Sequence, residues 1–206
     1  MKQIAKVVDN NQPGQLNIIE TEPNVPLGIG TKLYLAEPFA PLGSPLGGGF
    51  FAGEMTIDGV LYALVVAPKA EGERLSLPYK KKSFDAFDVT DSDDDGMANN
   101  ERISDANHPA AKFCRSLIIG EQADWYLPSR DELAMLQRNL GPRRKNTPEL
   151  FREGAAEAFE TDWYWSSTEH ASYSGLAWVV GFTSGYQYGY RKSYSYGVRA
   201  VRRLKI

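Results

Sequence analysis

The sequence has a single cysteine, Cys114, and only two histidines, His108 and His170. One cysteine excludes a framework of intrachain disulfides, so packing and hydrogen bonds must hold the fold. The two histidines are far apart along the chain and no third ligand accompanies them, so they do not indicate a zinc site. Because the usual nucleophiles and proton carriers are scarce, we expect a protein that is not an enzyme.

The chain also lacks long apolar runs. No window approaches the roughly 18 apolar residues that a membrane-spanning helix needs. Residues 1–10 contain no apolar segment of the kind found in conventional signal peptides. We therefore expect no membrane insertion and no signal peptide, with synthesis in a cytoplasm.

Positive charge is not concentrated enough to indicate nucleic acid as a partner, since the formal net charge is −3. The charges are nevertheless uneven. Residues 83–105 hold eight acids and one base, whereas residues 186–206 hold six bases and no acid. We interpret these runs as two solvated faces that attract each other, within one chain or between chains.

The acidic run contains the first half of a calcium-binding loop. Asp91, Asp93 and Asp95 precede Gly96 in the order that such a loop requires. The twelfth position, where a bidentate glutamate belongs, is Arg102 instead. We therefore prefer a solvated acidic turn and expect no cofactor, with calcium as the alternative.

The N-terminal region is rich in proline and glycine. Six of the twelve prolines lie within residues 1–48, and proline excludes both a long helix and a central strand. A flexible tail and an arm that orders on a neighbouring subunit are both consistent with this composition. The arm is favoured by the apolar residues Ile18, Ile19, Leu33, Tyr34 and Leu35. We predict an arm for attachment or oligomerisation over residues 1–48 and a recognition domain over residues 49–206.

Local signals predict the elements of this domain. Two β-rich runs, residues 49–57 and 60–67, flank Asp58-Gly59 and predict a hairpin whose second strand is buried. The polar residues 69–105 are predicted to form loops. The final strands are expected at residues 163–166, 177–182 and 198–202, with all four tryptophans in one core.

Three helices are predicted between these strands. The first covers residues 109–119, with Asn107 as a cap. The second begins after Ser129, because Glu132 completes a capping box, and ends at Gly141-Pro142. A third, short helix is expected over residues 147–159.

Three motifs together carry a family resemblance. They are Trp125 to Leu133 (WYLPSRDEL), Tyr164 to Glu169 (YWSSTE) and Val198 to Arg203 (VRAVRR). In order and spacing the chain resembles, over roughly residues 50–206, the C-terminal domain of collagen-like bacterial adhesins, the Lcl C-terminal-like domain. The resemblance implies an α+β, C-type-lectin-like fold: a twisted antiparallel sheet with two or three flanking helices.

The resemblance also implies recognition, because short members with such an N-terminus look like phage tail receptor-binding proteins. We therefore expect a tail-fibre protein of the virion, made in the host cytoplasm, that binds a host cell-surface receptor, either protein or glycan. By analogy we expect a homotrimer whose arm contacts other tail proteins. The alternatives are a bacterial surface adhesin or lectin that binds glycan, and a structural particle protein with tyrosines at a subunit interface.

A tyrosine-rich segment indicates where contact would occur. Five of the eleven tyrosines fall within residues 186–197, among serine, glycine, arginine and lysine. Antibody loops have this composition, because tyrosine gives large contact area at low entropic cost. The structural alternative is a hairpin stiffened by cross-strand aromatic pairs. The predicted ligand-binding residues are Tyr173, Tyr186, Tyr188, Tyr190, Arg191, Tyr194 and Tyr196.

Overall fold

The structure is a computed structural model. It forms two compact units, Met1–Ala40 and Pro41–Ile206, and it describes residues 3–8, 16–21, 39–81 and 86–206. In the first unit, β1 (Gln3–Val8) pairs antiparallel with β2 (Leu16–Thr21). The apolar residues 33–35 of the predicted arm lie outside the described residues, and the division of the chain at residue 48 stays a prediction.

Over residues 41–81 and 86–206, the second unit contains two curled sheets and four α-helices. A four-stranded sheet has the order β11-β5-β4-β3, and a five-stranded sheet has the order β6-β10-β7-β8-β9. All strand pairs are antiparallel except β10 with β7. The strands are β3 (Pro45–Leu46), β4 (Gly49–Ile57), β5 (Val60–Val66), β6 (Glu73–Pro78), β7 (Trp163–Glu169), β8 (Leu176–Gly181), β9 (Gln187–Arg191), β10 (Ser195–Arg199) and β11 (Val201–Lys205). The helices are α1 (Lys69–Gly72), α2 (Gly96–Ile103), α3 (Pro109–Arg115) and α4 (Arg130–Leu140).

The predicted α+β class is confirmed. No helix among the described residues is both long and apolar enough to cross a membrane. The likeness to a C-type lectin remains what the resemblance implies.

The hairpin predicted around Asp58-Gly59 is confirmed as β4 and β5. Asp58 and Gly59 have φ angles of 49° and 77°, which is the left-handed conformation that a two-residue type I′ turn requires at both positions. Ile57 pairs with Val60 directly across this turn. From Ala63 onward β5 is buried, as its continuous apolar run predicts.

Helix α4 is confirmed together with its capping box. The Ser129 hydroxyl accepts a hydrogen bond from Glu132 N at 3.2 Å. In return, Glu132 Oε2 accepts one from Ser129 N at 2.7 Å. These two bonds satisfy backbone donors that a helix start otherwise leaves unpaired. Because the helix begins at a fixed residue, its leucines face the core and are buried.

The prediction that residues 69–105 form only loops is wrong. Strand β6 is polar by sequence, but its backbone pairs with β10 and completes one edge of the five-stranded sheet. Helix α2 begins at Asp95, whose carboxylate accepts a hydrogen bond from Ala98 N at 2.9 Å. Pairing with β10 makes β6 a strand although its sequence is polar. The Asp95 cap likewise lets α2 form within a polar segment.

Two further helix predictions need correction. Helix α3 begins after His108, not Asn107, and the His108 side chain makes no capping hydrogen bond. The helix predicted over residues 147–159 is reduced to one 3₁₀ turn, Glu149–Phe151. Thr147 hydrogen-bonds back to the carbonyl of Gly141, so its side chain closes the preceding turn instead of starting a longer helix.

The prediction that all four tryptophans share one core is wrong for one of them: Trp125, Trp163 and Trp165 belong to one cluster, and Trp178 lies outside it. Trp125 and Trp165 are fully buried, whereas Trp163 and Trp178 are half-buried. Ala177 and Val179 point into the core, so Trp178 between them points to the other face of the strand. There its ring stacks on His170 at 5.2 Å between centroids.

The arginines of the C-terminal motif pair with carboxylates and backbone carbonyls. Arg199 is fully buried and donates to the carbonyl oxygen of Ala67 at 2.8 Å and to Glu157 Oε2 at 2.6 Å. Arg202 donates to Asp124 Oδ1 at 2.7 Å. Both side chains therefore connect the last strands to distant parts of the chain.

Candidate functional site

The tyrosine-rich segment occupies two separate places in the five-stranded sheet. Strand β9 is an edge strand that pairs with β8, and β10 lies between β6 and β7, separated from β9 by the two strands β7 and β8. The two strands are therefore not neighbours, and the alternative of one stiffened hairpin is wrong. Their tyrosines meet through side chains instead of through backbone pairing.

Four rings form a continuous surface that we call the aromatic patch: Trp163, Tyr188, Tyr190 and Tyr196. The Trp163 ring lies 5.7 Å from the rings of both Tyr188 and Tyr190, with edge-to-face geometry. Tyr190 in turn lies 5.2 Å from Tyr196. Such contacts stabilise aromatic pairs beyond their buried area, so the rings support one another in fixed positions.

A glycine opposite Trp163 makes room for the patch. Gly181 pairs with Trp163 across β7 and β8. A Cβ at Gly181 would lie 3.1 Å from the Trp163 ring, closer than rings and methyl groups normally approach. The six-membered ring of the indole therefore lies against the glycine, and the indole meets Tyr188 and Tyr190 with edge-to-face geometry.

Exposure divides the tyrosines into anchors and contact residues. Tyr190 and Tyr196 are half-buried and pack against the core cluster that contains Trp125 and Trp165. Tyr188 and Tyr194 are 54% and 48% exposed. Burial, followed by the nearby Tyr190 and Tyr194, raises the pKa of Tyr196, so its phenol stays protonated and can donate a hydrogen bond at neutral pH.

Tyr186 lies just before β9, in the turn that follows β8. It is 67% exposed, and its carbonyl accepts a hydrogen bond from Gly181 N at 2.9 Å. Sequence alternation predicts that Tyr186, Tyr188 and Tyr190 share a face in an extended strand. The strand begins only at Gln187, so the alternation applies to Tyr188 and Tyr190.

Tyr173 and Arg191 belong to a different surface. Arg191 follows Tyr190 in β9 and therefore points to the opposite face. It lines an open groove of about 370 Å³ together with Phe87 and the turn at residues 172–176, which includes Tyr173. The seven predicted residues are thus divided between the aromatic patch with its neighbours and this groove. Sequence reasoning missed Phe87, because it is distant in the chain and lies in a polar segment.

A buried ionic cluster lies next to the groove. Lys192 is fully buried although it is part of the tyrosine-rich segment. Its Nζ lies 2.7 Å from Asp88 Oδ2 and 2.8 Å from Glu169 Oε2. Asp88 also pairs with Lys80 and lies 3.2 Å from His108 Nε2. Burial opposes ionisation of Asp88, but the adjacent His108, Lys192 and Lys80 hold its pKa well below the usual range.

This cluster accounts for part of the predicted attraction between the acidic and basic runs. Lys192 with Asp88 is one such pair, and Arg203 with Asp95 at 2.8 Å is another. Both pairs form within one chain. The sequence interpretation placed the basic run in solvent. That interpretation is wrong for Lys192, which is buried, and for Arg203, which pairs with Asp95.

Two of the three aspartates predicted as alternative calcium ligands make contacts within the protein. Asp95 caps α2 and accepts hydrogen bonds from both terminal nitrogens of Arg203. Asp93 lies 3.6 Å from Arg130, and Asn99 is bonded to the backbone of Ser92. Across residues 39–81 and 86–206, no three carboxylate, imidazole or thiol groups are arranged to hold a metal ion. Asp91, the remaining predicted ligand, is exposed.

Comparison with known proteins agrees with the resemblance read from the three motifs. The model of the Lcl C-terminal domain matches residues 81–202, which is more than half of the chain and includes the aromatic patch and the groove. No curated protein matches the chain. The family match indicates an adhesin-like or receptor-binding role. The chain belongs to the family of the Lcl C-terminal domain.

Proposed function

We propose that this protein is the receptor-binding protein of a phage tail fibre and recognises a host cell-surface receptor through the aromatic patch. The observation that carries the proposal is that Tyr188 of the patch and Tyr194 beside it are about half exposed, while Tyr190 and Tyr196 are anchored in the sheet. Interface hot spots have this character: rigid aromatic rings that lose little entropy on binding.

The proposal has two further parts that follow from the predicted organisation. The N-terminal region attaches the protein to other tail proteins, and the assembled fibre tip is a homotrimer. Three copies would present three patches, so weak individual contacts would add up to strong adsorption.

The proposed role is binding without catalysis. Cys114 is fully buried, and burial raises the pKa of its thiol far above the usual range, so the reactive thiolate is disfavoured. His108 lies within the ionic cluster and His170 within a ring stack. These environments are typical of residues that stabilise a fold.

Adsorption of the fluorescently labelled full-length protein to a panel of bacterial cells tests the proposal. We expect the variant carrying Tyr188→Ala and Tyr194→Ala to lose at least about tenfold in affinity, because two hot-spot rings are removed. Ile118→Ala is the control, since Ile118 is 73% exposed but belongs to neither surface. Equal adsorption of both variants, with unchanged circular dichroism, would exclude the patch as the contact surface.

The same variants separate the two alternatives. A structural particle protein with tyrosines at a subunit interface would change its oligomeric state, measured by light scattering, when Tyr188 and Tyr194 are replaced. A bacterial adhesin would be found on the surface of the cells that encode it. A receptor-binding tail protein would keep its oligomeric state when Tyr188 and Tyr194 are replaced. It would adsorb to cells of a separate host and would not be found on the surface of the cells that encode it.

A further inference from the structure

The groove beside Tyr173 has the size and lining of a site for a small molecule. Its volume is about 370 Å³, within the range of several hundred Å³ that is usual for ligand sites. It lies on the face of β9 opposite the aromatic patch. We propose that this groove binds one pyranose ring of a glycan, as a second site that is separate from the patch.

The lining matches the two sides of a sugar ring. Phe87 and Tyr173 are 47% and 62% exposed, and with Leu176 they supply apolar surface for the C–H face of a pyranose. Ser172 and Ser174 line the same groove and carry hydroxyl groups that both donate and accept hydrogen bonds. A purely apolar ligand would cover these hydroxyls without pairing them, which costs free energy.

The wall that carries Tyr173 is fixed before any ligand binds. Ser172 N donates a hydrogen bond to His170 Nδ1 at 3.1 Å, and Leu176 N donates to the carbonyl oxygen of Tyr173 at 2.9 Å. The Tyr173 ring also contacts the His170 ring, at 5.0 Å between centroids. His170 is itself stacked on Trp178. A wall held in this way costs little further entropy when a ligand binds.

The wall that carries Phe87 is tied to the same part of the sheet. The next residue, Asp88, donates from its backbone N to Glu169 Oε2 at 3.0 Å, and its carboxylate pairs with Lys192 at 2.7 Å. Lys192 N donates to the carbonyl oxygen of Gly175 at 2.9 Å. The buried ionic cluster therefore fixes both walls of the groove at a constant separation.

Sugar binding in this groove needs no calcium. The groove is lined by aromatic, aliphatic, serine and arginine side chains and by glycine, without carboxylates. The acidic turn is occupied by its own cap and by Arg203. Aromatic stacking and hydroxyl hydrogen bonds accordingly carry the recognition, and removal of divalent ions leaves it unchanged.

Saturation-transfer NMR of the full-length protein with methyl glycosides of glucose, mannose, galactose and N-acetylglucosamine tests this inference in the presence of EDTA. We expect at least one glycoside to bind, and Tyr173→Ala and Phe87→Ala each to weaken it about tenfold, the loss of one ring stack. Tyr186→Ala is the matched control, because Tyr186 is a tyrosine of similar exposure outside the groove. Tyr188→Ala, in the aromatic patch, also leaves glycoside binding unchanged.

Three results would overturn the inference. They are the absence of saturation transfer to every glycoside, binding that persists in both Tyr173→Ala and Phe87→Ala, and binding of N-acetylphenylalanine amide in the groove in place of any sugar. Failure of the groove is distinguishable from failure of the aromatic patch. If the groove proposal fails, glycoside binding is absent while cell adsorption still depends on Tyr188 and Tyr194. If the patch proposal fails, glycoside binding is present while cell adsorption does not depend on those two tyrosines.

Discussion

Lys192 Nζ lies 2.8 Å from Glu169 Oε2 inside the domain, although Lys192 comes from the middle of the tyrosine-rich segment. The chain between β9 and β10 thus turns inward at Lys192 and outward again at Tyr194. Lys192 is anchored at Glu169, the last residue of β7. The exposed tyrosines on either side of Lys192 therefore keep a fixed position relative to that strand. The ion pair therefore links the stability of the fold to the position of both candidate surfaces.

Lys192→Met should destabilise the protein by about 3–5 kcal/mol, because it removes the buried cation that the carboxylates of Asp88 and Glu169 share. The measurement is urea unfolding followed by tryptophan fluorescence. Lys205→Met is the control, since Lys205 is exposed in β11 and should change stability by less than about 0.5 kcal/mol. Similar effects of the two substitutions would contradict the buried ion pair.

Glu132 should make stability depend on pH near neutrality. Burial raises the pKa of Glu132 to about 7, against hydrogen bonds from Tyr126 and Ser129 that lower it. The folded state then binds more protons than the unfolded state between about pH 4.5 and pH 7. Stability should therefore fall as pH rises through this window, by up to about 3 kcal/mol, and level off above it.

The contribution of Glu132 is isolated by comparing variants. Glu132→Gln keeps the capping box, but its side chain does not titrate. The unfolding free energy of this variant should therefore not show the fall with rising pH that Glu132 contributes. Glu149→Gln, at an exposed position, should keep the wild-type slope. Identical pH profiles for wild type and Glu132→Gln would show that Glu132 does not titrate in this window.

Gly197→Ala should lower stability by about 1–3 kcal/mol, because overpacking a closed core forces its neighbours to move. A Cβ at this position would lie 2.8 Å from the Tyr164 ring, which is fully buried. Thermal unfolding measures the effect, with Ser195→Ala at an exposed position of β10 as the control. An unchanged melting temperature for Gly197→Ala would mean that β10 and β7 lie further apart than the structure places them.

Calcium should neither bind nor stabilise the protein. Asp95 is occupied by Ala98 N and Arg203, so a cation would have to displace both. We expect no heat in calorimetric titration with millimolar calcium and no shift of the melting temperature. A saturable heat that Asp95→Asn removes would instead establish a site in the acidic turn.

Elements with local signals could be predicted from the sequence. The Asp58-Gly59 turn and the Ser129–Glu132 capping box each depend on residues within a few positions of one another. For that reason both were predicted at the correct residues.

Features that depend on long-range contacts could not be predicted. Strand β6 is polar and gains its partner from β10, more than a hundred residues away. Lys192 looked like part of a solvated surface, because its carboxylate partners Asp88 and Glu169 come from distant segments. The groove was missed for the same reason, since Phe87 and Tyr173 line it from distant parts of the chain.

Hydroxyl-radical footprinting of the full-length protein, free and bound to host cells, tests the central claim most directly. The account predicts that oxidation of Tyr188 and Tyr194 falls severalfold on cell binding, while oxidation of Ile118 is unchanged. Equal oxidation of Tyr188 and Tyr194 in the free and bound protein would contradict it.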